Sequence, residues 1–211
     1  MPNNSSIVIH WFRRDLRLED NAALYHALKS GQPVLCVFVF DRNILDQLED
    51  RSDRRVQFIH ARLQELKSQL EQYGSSLLVK YGKPETCWKK ICSEYHVKAV
   101  YTNHDYEPYA RKRDAEMCDF FAKQQIDFLT FKDQVIFEKD EVLKDDGKPY
   151  TVYTPYSRKW MAKLNDFYLR SYPTEQYFKS FLKLKPLPMI AAEAMNFHFE
   201  SFDFPATLVT D

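Results

Sequence analysis

Five short runs of consecutive apolar residues restrict the fold of this chain more than any other feature. They occupy residues 7–11, 34–40, 77–81, 99–102 and 128–131. A strand that is covered on one face alternates apolar and polar residues, whereas a strand that is buried on both faces is apolar throughout. The five runs therefore predict a parallel sheet with helices on both of its faces.

A helical pattern fills each interval between these runs. The clearest covers residues 54–73, where apolar side chains recur at steps of three and four until Gly74 ends the pattern. Others cover residues 21–30 and begin at Pro84 and at Pro108, since the first helical turn tolerates proline. The alternation predicts an α/β, Rossmann-like fold: a doubly wound, five-stranded parallel sheet in the order 3-2-1-4-5 with right-handed crossovers.

The pattern changes after residue 131, which divides the chain into an α/β domain (residues 1–135) and a connector (residues 136–211). Thr154 and Pro155 are typical of a helix start, and the apolar spacing predicts one helix over about residues 155–168. From residue 172 onward, scattered prolines and aromatic residues predict an extended linker between domains. Six phenylalanines in this linker are expected to find only partial burial without a partner domain: Phe178, Phe181, Phe197, Phe199, Phe202 and Phe204.

Charge and glycine content argue against several classes of function. Lys and Arg number 30 and Asp and Glu also number 30, so the chain lacks the basic excess of a dedicated nucleic-acid-binding domain. The chain has 4 glycines and neither a G-x-G-x-x-G nor a G-x-x-x-x-G-K-[ST] motif. This disfavours the dinucleotide and P-loop phosphate sites, which need backbone approach at glycine. The lack of these glycine motifs also disfavours a free-standing nucleotide-binding or flavin-binding domain with a Rossmann-like sheet.

Cysteine usage and hydropathy indicate the cellular location. The 4 cysteines show no C-x-x-C spacing and the 6 histidines are scattered, so free thiols and no metal site are predicted. The N-terminus lacks the pattern of a signal peptide, and the longest apolar run, residues 34–40, is far shorter than a membrane span. We therefore expect a cytoplasmic protein that does not contact membranes.

Aromatic and charged residues follow three of the predicted strands. The first ends near Trp11, the second ends at Phe40 and Asp41, and the fourth is followed by Asp105 and Glu107. In the predicted strand order these ends meet at the switch point, where open α/β sheets bind ligands. Aromatic rings among carboxylates and arginines suit a flat, polar, conjugated ligand.

A structural ion pair is the alternative to a ligand contact for each arginine in this region. Arg13, for example, can pair with Asp15 or with Asp41. The residues alone leave both partners open.

Five segments of the chain resemble the N-terminal α/β domain of the DNA photolyase/cryptochrome family. In the family's order they are HWFRRDLRLEDNAAL (10–24), VLCVFVFD (34–41), RVQFIHARLQEL (55–66), VYTNHDYEPYARKRD (100–114) and PYTVYTPYSRKW (149–160). The resemblance implies the antenna half of a deoxyribodipyrimidine photo-lyase, a carbon–carbon lyase that repairs pyrimidine dimers with light. The alternative is the same domain of a cryptochrome, a blue-light signalling receptor.

The same resemblance implies which functions belong outside this chain. Family members bind flavin adenine dinucleotide (FAD) in a helical domain that follows the α/β domain, and we expect that domain to be absent here. Catalytic residues are therefore not expected in this chain, and damaged DNA would be bound through the full-length protein only. The isolated chain is expected to self-associate weakly.

An antenna chromophore is the ligand that the resemblance implies for the α/β domain. Folate-binding members carry Asn-Glu where this chain has Tyr109 and Ala110, so a deazaflavin or flavin is favoured over a folate, and some members bind no antenna. By similarity, Asp105 and Glu107 would accept hydrogen bonds from the ring and Arg55 would face it. Together with the strand-end residues, the candidate binding residues are Trp11, Phe40, Asp41, Arg55, Asp105 and Glu107.

Overall fold

A five-stranded parallel sheet forms the centre of the structure, a computed structural model that describes residues 6–200. The strands are β1 (Ile7–Phe12), β2 (Val34–Asp41), β3 (Leu77–Gly82), β4 (Val97–Asn103) and β5 (Asp127–Phe131). Their order is β3-β2-β1-β4-β5, and every neighbouring pair is parallel. The predicted fold class and strand order are confirmed, and the switch point lies between β1 and β4.

Helices occupy the predicted intervals. They are α1 (Ala22–Leu28), α2 (Arg42–Leu45), α3 (Arg54–Gln72), α4 (Pro84–Glu94), α5 (Pro108–Ala122), α6 (Tyr153–Lys163) and α7 (Asp166–Leu169). The Asn21 side chain caps α1 by accepting the Leu24 N–H at 3.0 Å. Pro84 and Pro108 stand in the first turns of α4 and α5, where a missing N–H costs no helical hydrogen bond.

The two faces of the sheet bury separate apolar cores. Val8 and Phe12 of β1 point to the face that α1 and α3 cover. Ile9 and Trp11 of the same strand point to the opposite face, where Trp88 of α4 and Phe121 of α5 pack. Burial on both faces explains why the strands are apolar at consecutive positions.

Between residues 136 and 200, the connector contains two α-helices where one was predicted over residues 155–168. Helix α6 begins at Tyr153, so Pro155 is its third residue and not its first. The chain then leaves the helical conformation, and the Asn165 side chain starts α7 by accepting the Phe167 N–H at 3.0 Å. An Asx-type cap of this kind competes with helix continuation, which explains the break.

The segment after residue 172 packs onto the domain. Phe178, Phe181 and Phe197 are buried, so the expectation of partial burial is wrong for these three residues. They join the core on the α1 and α3 face. Phe199 is partly buried against the same core, while Phe202 and Phe204 lie outside the described residues.

We call residues 174–199 the strap, because they run along α3 from one edge of the sheet to the other. Near the amino end of β2, the Leu182 N–H donates to the Val34 carbonyl at 2.8 Å. Near the start of α3, the His198 N–H donates to the Arg51 carbonyl at 2.9 Å. These backbone bonds and the buried aromatic rings attach the strap at both ends.

Candidate functional site

A cavity of about 700 Å³ opens at the carboxyl ends of β1, β2 and the segment after β4. Its wall includes all six candidate binding residues: Trp11, Phe40, Asp41, Arg55, Asp105 and Glu107. The topology therefore brings together residues that lie up to almost one hundred positions apart in the chain. A second opening, of about 850 Å³, lies between α4 and α5 and is walled mostly by charged side chains. The first cavity has the apolar floor that a conjugated ligand requires.

Phe40 and Trp11 differ in what they offer to a ligand. Phe40 packs against Phe38, with ring centroids 5.0 Å apart, and is part of the apolar floor. The Trp11 indole is already engaged, because the guanidinium carbons of Arg13 and Arg113 lie 4.4 Å and 5.3 Å from its ring centroid. Phe40 is therefore the better stacking surface of the two.

Asp41 ends β2 and accepts two hydrogen bonds, one from α2 and one from α5. Its side chain accepts the Asn43 N–H at 2.9 Å and the Tyr109 hydroxyl proton, while the Asn43 amide donates to the Tyr109 oxygen at 3.0 Å. Burial raises the pKa of Asp41. Burial, with the hydrogen bond to Asp41, raises the pKa of Tyr109 to about 12. Tyr109 was missed as a site residue, although it lies in the acidic segment that follows the fourth strand.

Arg14 pairs with both acidic residues of the fourth-strand segment. Its Nε lies 3.3 Å from Asp105 Oδ2, and its Nη2 lies 3.8 Å from Glu107 Oε1. The side chain of Asp105 is 7% exposed, whereas that of Arg14 is 57% exposed. Arg14 is the exposed member of these pairs and can turn into solvent, and a ligand that donates a hydrogen bond can take its place at the buried Asp105 carboxylate. Arg14 also lines the cavity, and sequence reasoning did not select it.

Arg55 lies at the rim of the cavity, and its guanidinium faces Asp53. The Asp53 side chain caps α3 and lies 2.5 Å from Arg55 Nη2. Hydrogen bonds from Arg55 lower the pKa of Asp53. Because the Arg55 side chain is 76% exposed, it can turn toward a ligand, while the buried Asp53 keeps the backbone N–H of Arg55 at 2.8 Å as a partner.

Arg13 pairs with neither partner that the sequence left open for its side chain. Its Nη1 donates to Asp114 Oδ2 of α5 at 2.6 Å, and Arg113 Nε donates to the other Asp114 oxygen at 3.1 Å. Only the backbone N–H of Arg13 bonds to Asp15, at 2.8 Å. Burial, with the charge of Arg113, lowers the pKa of Arg13 to about 10. The side chain of Arg13 therefore ties the end of β1 to α5.

A buried polar network holds the loop that carries Arg13 and Arg14. Asp15 Oδ2 accepts the side-chain amides of Asn21 at 2.9 Å and Asn103 at 2.6 Å. The side-chain oxygen of Asn103, Oδ1, in turn accepts the Ala23 N–H at 2.9 Å. This network joins β1, α1 and β4, and so positions one wall of the cavity.

His10 lies beside this network and makes stability depend on pH. Its side chain is fully buried, and the nearest carboxylate oxygen, Asp15 Oδ2, is 3.7 Å from His10 Nε2. Burial lowers the pKa of His10 from 6.5 to about 4, with Asp15 opposing the shift. The unfolded chain therefore takes up a proton more readily than the folded chain.

The free energy of unfolding is expected to fall as the pH decreases from about 6.5 to about 4, because protonated His10 favours the unfolded chain. The pKa difference corresponds to about 3 kcal/mol. His10→Leu should remove this contribution, so urea unfolding of both proteins from pH 7 to pH 4 is the measurement. Equal pH slopes for the two proteins would contradict the assignment.

The described part of the chain offers no metal site and no membrane-crossing helix. Across residues 6–200 there is no group of three or more His, Cys, Asp or Glu side chains that could hold a metal ion. Over the same residues, every helix is too short or too polar to cross a membrane.

The family model for DNA photolyase matches residues 8–176. The chain belongs to the DNA photolyase family. It is 35% identical over 156 residues to a deoxyribodipyrimidine photo-lyase of a Synechococcus species, and the match covers 74% of this chain and 32% of that enzyme. The chain thus spans about a third of the length of this relative.

Two solved photolyases share the fold. A class III photolyase from Agrobacterium tumefaciens matches with a TM-score of 0.73 and 27% identity, over 89% of this chain and 37% of that chain. An archaeal photolyase from Sulfolobus tokodaii, solved with two FAD molecules, matches with a TM-score of 0.57 and 32% identity, over 62% of this chain and 30% of that chain. The sequence-based identification of the photolyase α/β domain is confirmed.

Proposed function

We propose that this chain is the light-harvesting domain of a deoxyribodipyrimidine photo-lyase and that its cavity binds the antenna chromophore. The observation that carries the proposal is the cavity itself. In a domain of this family, all six candidate residues line one opening at the switch point of the sheet. An apolar floor with a polar rim is the usual composition of a site for a flat heterocycle.

A flavin-type chromophore is the antenna that we favour, with a deazaflavin as the related alternative. Tyr109 and Ala110 both line the cavity, at the positions where folate-binding members carry Asn-Glu. Tyr109 has a phenol where that motif has an amide, and Ala110 has no polar group where the motif has a carboxylate. The Tyr109 hydroxyl is already bonded to Asp41 and Asn43. The Sulfolobus tokodaii photolyase, which contains two FAD molecules, is described as implying a novel light-harvesting cofactor.

The polar residues of the rim would fix the ring. Asp105 and Glu107 are hydrogen-bond acceptors, so they would bind N–H or hydroxyl groups of the chromophore. Arg14 pairs with both carboxylates and would move aside or donate to a ring carbonyl. Phe40 would support the ring from below, and Arg55 would close the rim.

The activity of the full-length protein remains a proposal. We assign light-driven repair of pyrimidine dimers to a longer protein in which a helical FAD domain follows residues 1–211 and contacts the damaged DNA. The photolyase assignment is preferred to a cryptochrome because the relative and the solved structures above are named photolyases. We place the protein in the cytoplasm, where its four free cysteines stay reduced.

The exposed apolar face of the connector is the surface that we assign to that helical domain. Val152, Tyr153, Met161, Phe167 and Leu169 are each at least 60% exposed, and they lie on or beside α6 and α7. Large apolar side chains that are exposed together along one segment are candidates for an interaction site. Without the helical domain, the same face would produce weak self-association of the chain.

Asp105→Ala is expected to weaken riboflavin binding by about 1–3 kcal/mol, because a buried polar partner is lost. Fluorescence titration of riboflavin with the intact chain measures the affinity. Asp119→Ala is the matched control, since Asp119 lines only the second opening and should leave affinity unchanged. If Asp119→Ala weakens binding and Asp105→Ala does not, the chromophore belongs to the second opening.

A further inference from the structure

We propose that Tyr109 and Asp41 together form a light-driven electron and proton donor to the chromophore in the cavity. This inference rests on the proposed function, in which the cavity binds a flavin-type chromophore. It assigns to the antenna site a second reaction, the reversible one-electron reduction of its excited chromophore.

The Tyr109 hydroxyl is arranged for loss of a proton. It donates its hydrogen bond to Asp41 Oδ2, and the Asn43 amide donates to the phenol oxygen at 3.0 Å. Tyr109 and Asp41 both line the cavity, so a ring bound against this part of the wall would lie beside the phenol. A phenol gives up an electron much more easily when its proton can leave at the same time, because no cationic phenol is formed.

Trp11 is the competing aromatic donor in the wall, and its surroundings oppose oxidation. Loss of an electron would place a positive charge on an indole that already lies 4.4 Å from the guanidinium of Arg13 and 5.3 Å from that of Arg113. The Asp114 carboxylate that bonds to both guanidinium groups offsets one of their two positive charges, so a net positive charge still opposes oxidation of the indole. Arg113 also lies 5.9 Å from the Tyr109 ring centroid, but loss of the Tyr109 proton together with the electron leaves no positive charge on that ring. The structure therefore separates two aromatic residues of one cavity into a disfavoured donor, Trp11, and a favoured donor, Tyr109.

The step balances within the site. After light absorption, one electron passes from the Tyr109 ring to the excited chromophore, and the hydroxyl proton passes to the Asp41 carboxylate. Tyr109 is oxidised to the neutral phenoxyl radical, Asp41 becomes a carboxylic acid, and the chromophore is reduced by one electron. Return of the electron and the proton restores all three groups, so this reaction competes with energy transfer only for the excitation that has not already been passed on.

Time-resolved fluorescence of the intact chain saturated with riboflavin tests the proposal. We expect Tyr109→Phe to lengthen the fluorescence lifetime of the bound riboflavin by about tenfold, the effect of about 1.4 kcal/mol on the quenching barrier. Asp41→Asn should lengthen it similarly, because asparagine still caps α2 but does not take the proton. The lifetime of the unsubstituted protein should also lengthen in D₂O, and this isotope effect should be lost in Tyr109→Phe.

Two controls separate the electron donor from a general change in the site. Tyr106→Phe removes a hydroxyl from a 60% exposed tyrosine outside the cavity wall and should leave the lifetime unchanged. If Trp11→Phe lengthens the lifetime while Tyr109→Phe does not, the assignment of the donor is wrong. Riboflavin that binds with a lifetime independent of Tyr109 overturns this inference alone. Absence of riboflavin binding overturns the assignment of a flavin-type chromophore to the cavity and this inference with it.

Discussion

Asp15→Ala is expected to lower the free energy of unfolding by about 3 kcal/mol or more, since three donors lose a buried acceptor and each loss costs about 1–3 kcal/mol. The donors are the Arg13 backbone N–H and the side-chain amides of Asn21 and Asn103. Both asparagines are buried, so water cannot replace the carboxylate without opening the domain. Urea unfolding monitored by circular dichroism measures the change.

The same substitution should also weaken riboflavin binding, because Asp15 holds the loop that presents Arg13 and Arg14 to the cavity. Asp119→Ala provides the control for stability, since an exposed aspartate of α5 should contribute within about 0.5 kcal/mol. A loss of less than 1 kcal/mol in Asp15→Ala would show that the network is not the element that joins β1, α1 and β4.

The sheet could be predicted from the sequence because the patterns that mark its strands and helices each lie within a short stretch of the chain. Burial on both faces makes each strand apolar at consecutive positions, and the helix between strands repeats its apolar side chains every three or four residues. Alternation of these two patterns permits few topologies, and the structure has the predicted one. Helix α2 was missed because a helix of four residues is too short to show a periodic pattern. It follows directly on Asp41, which both ends β2 and caps the helix.

The candidate site was predictable as a location but not as a set of contacts. Parallel strands bring their carboxyl ends to one edge, so the six residues share one cavity. The pairings across that edge depend on rotamers and on residues far away in the chain. Arg13 meets Asp114 across 101 positions, and Tyr109 meets Asp41 across 68. A single sequence carries no periodic signal for such pairs.

The strap marks the limit of pattern-based prediction. Its aromatic residues follow neither a two-residue nor a 3.6-residue period, since the segment is mostly irregular and packs through individual side chains. A segment without regular secondary structure can still pair its backbone N–H and C=O groups through single hydrogen bonds to the core, as the Leu182 N–H does with the Val34 carbonyl. Absence of periodicity agrees with the lack of α-helix and β-strand in the strap, which contains two 3₁₀ helices, but it did not indicate the burial of the aromatic rings.

Phe197→Ala is expected to lower the free energy of unfolding by about 3–5 kcal/mol, because the ring leaves a cavity in the core when it is removed. Phe197 is fully buried, and the Arg51 guanidinium lies 5.5 Å from its ring centroid. The preceding residue, Asn196, turns the chain in the left-handed region with φ of 61°. A non-glycine residue in that conformation costs free energy that the burial of Phe197 offsets.

Loss of Phe197 should also release the end of the strap from α3. This end bonds to the Arg51 carbonyl through His198, and the Ile190 carbonyl lies 2.8 Å from His60 Nε2. Phe167→Ala is the matched control, since that ring is 76% exposed on α7 and its removal leaves no core cavity. Limited proteolysis should therefore cut the strap faster in Phe197→Ala than in Phe167→Ala, and urea unfolding should separate the two variants by at least about 2 kcal/mol. Equal stability and equal cleavage would mean that the strap rests on the core without contributing to it.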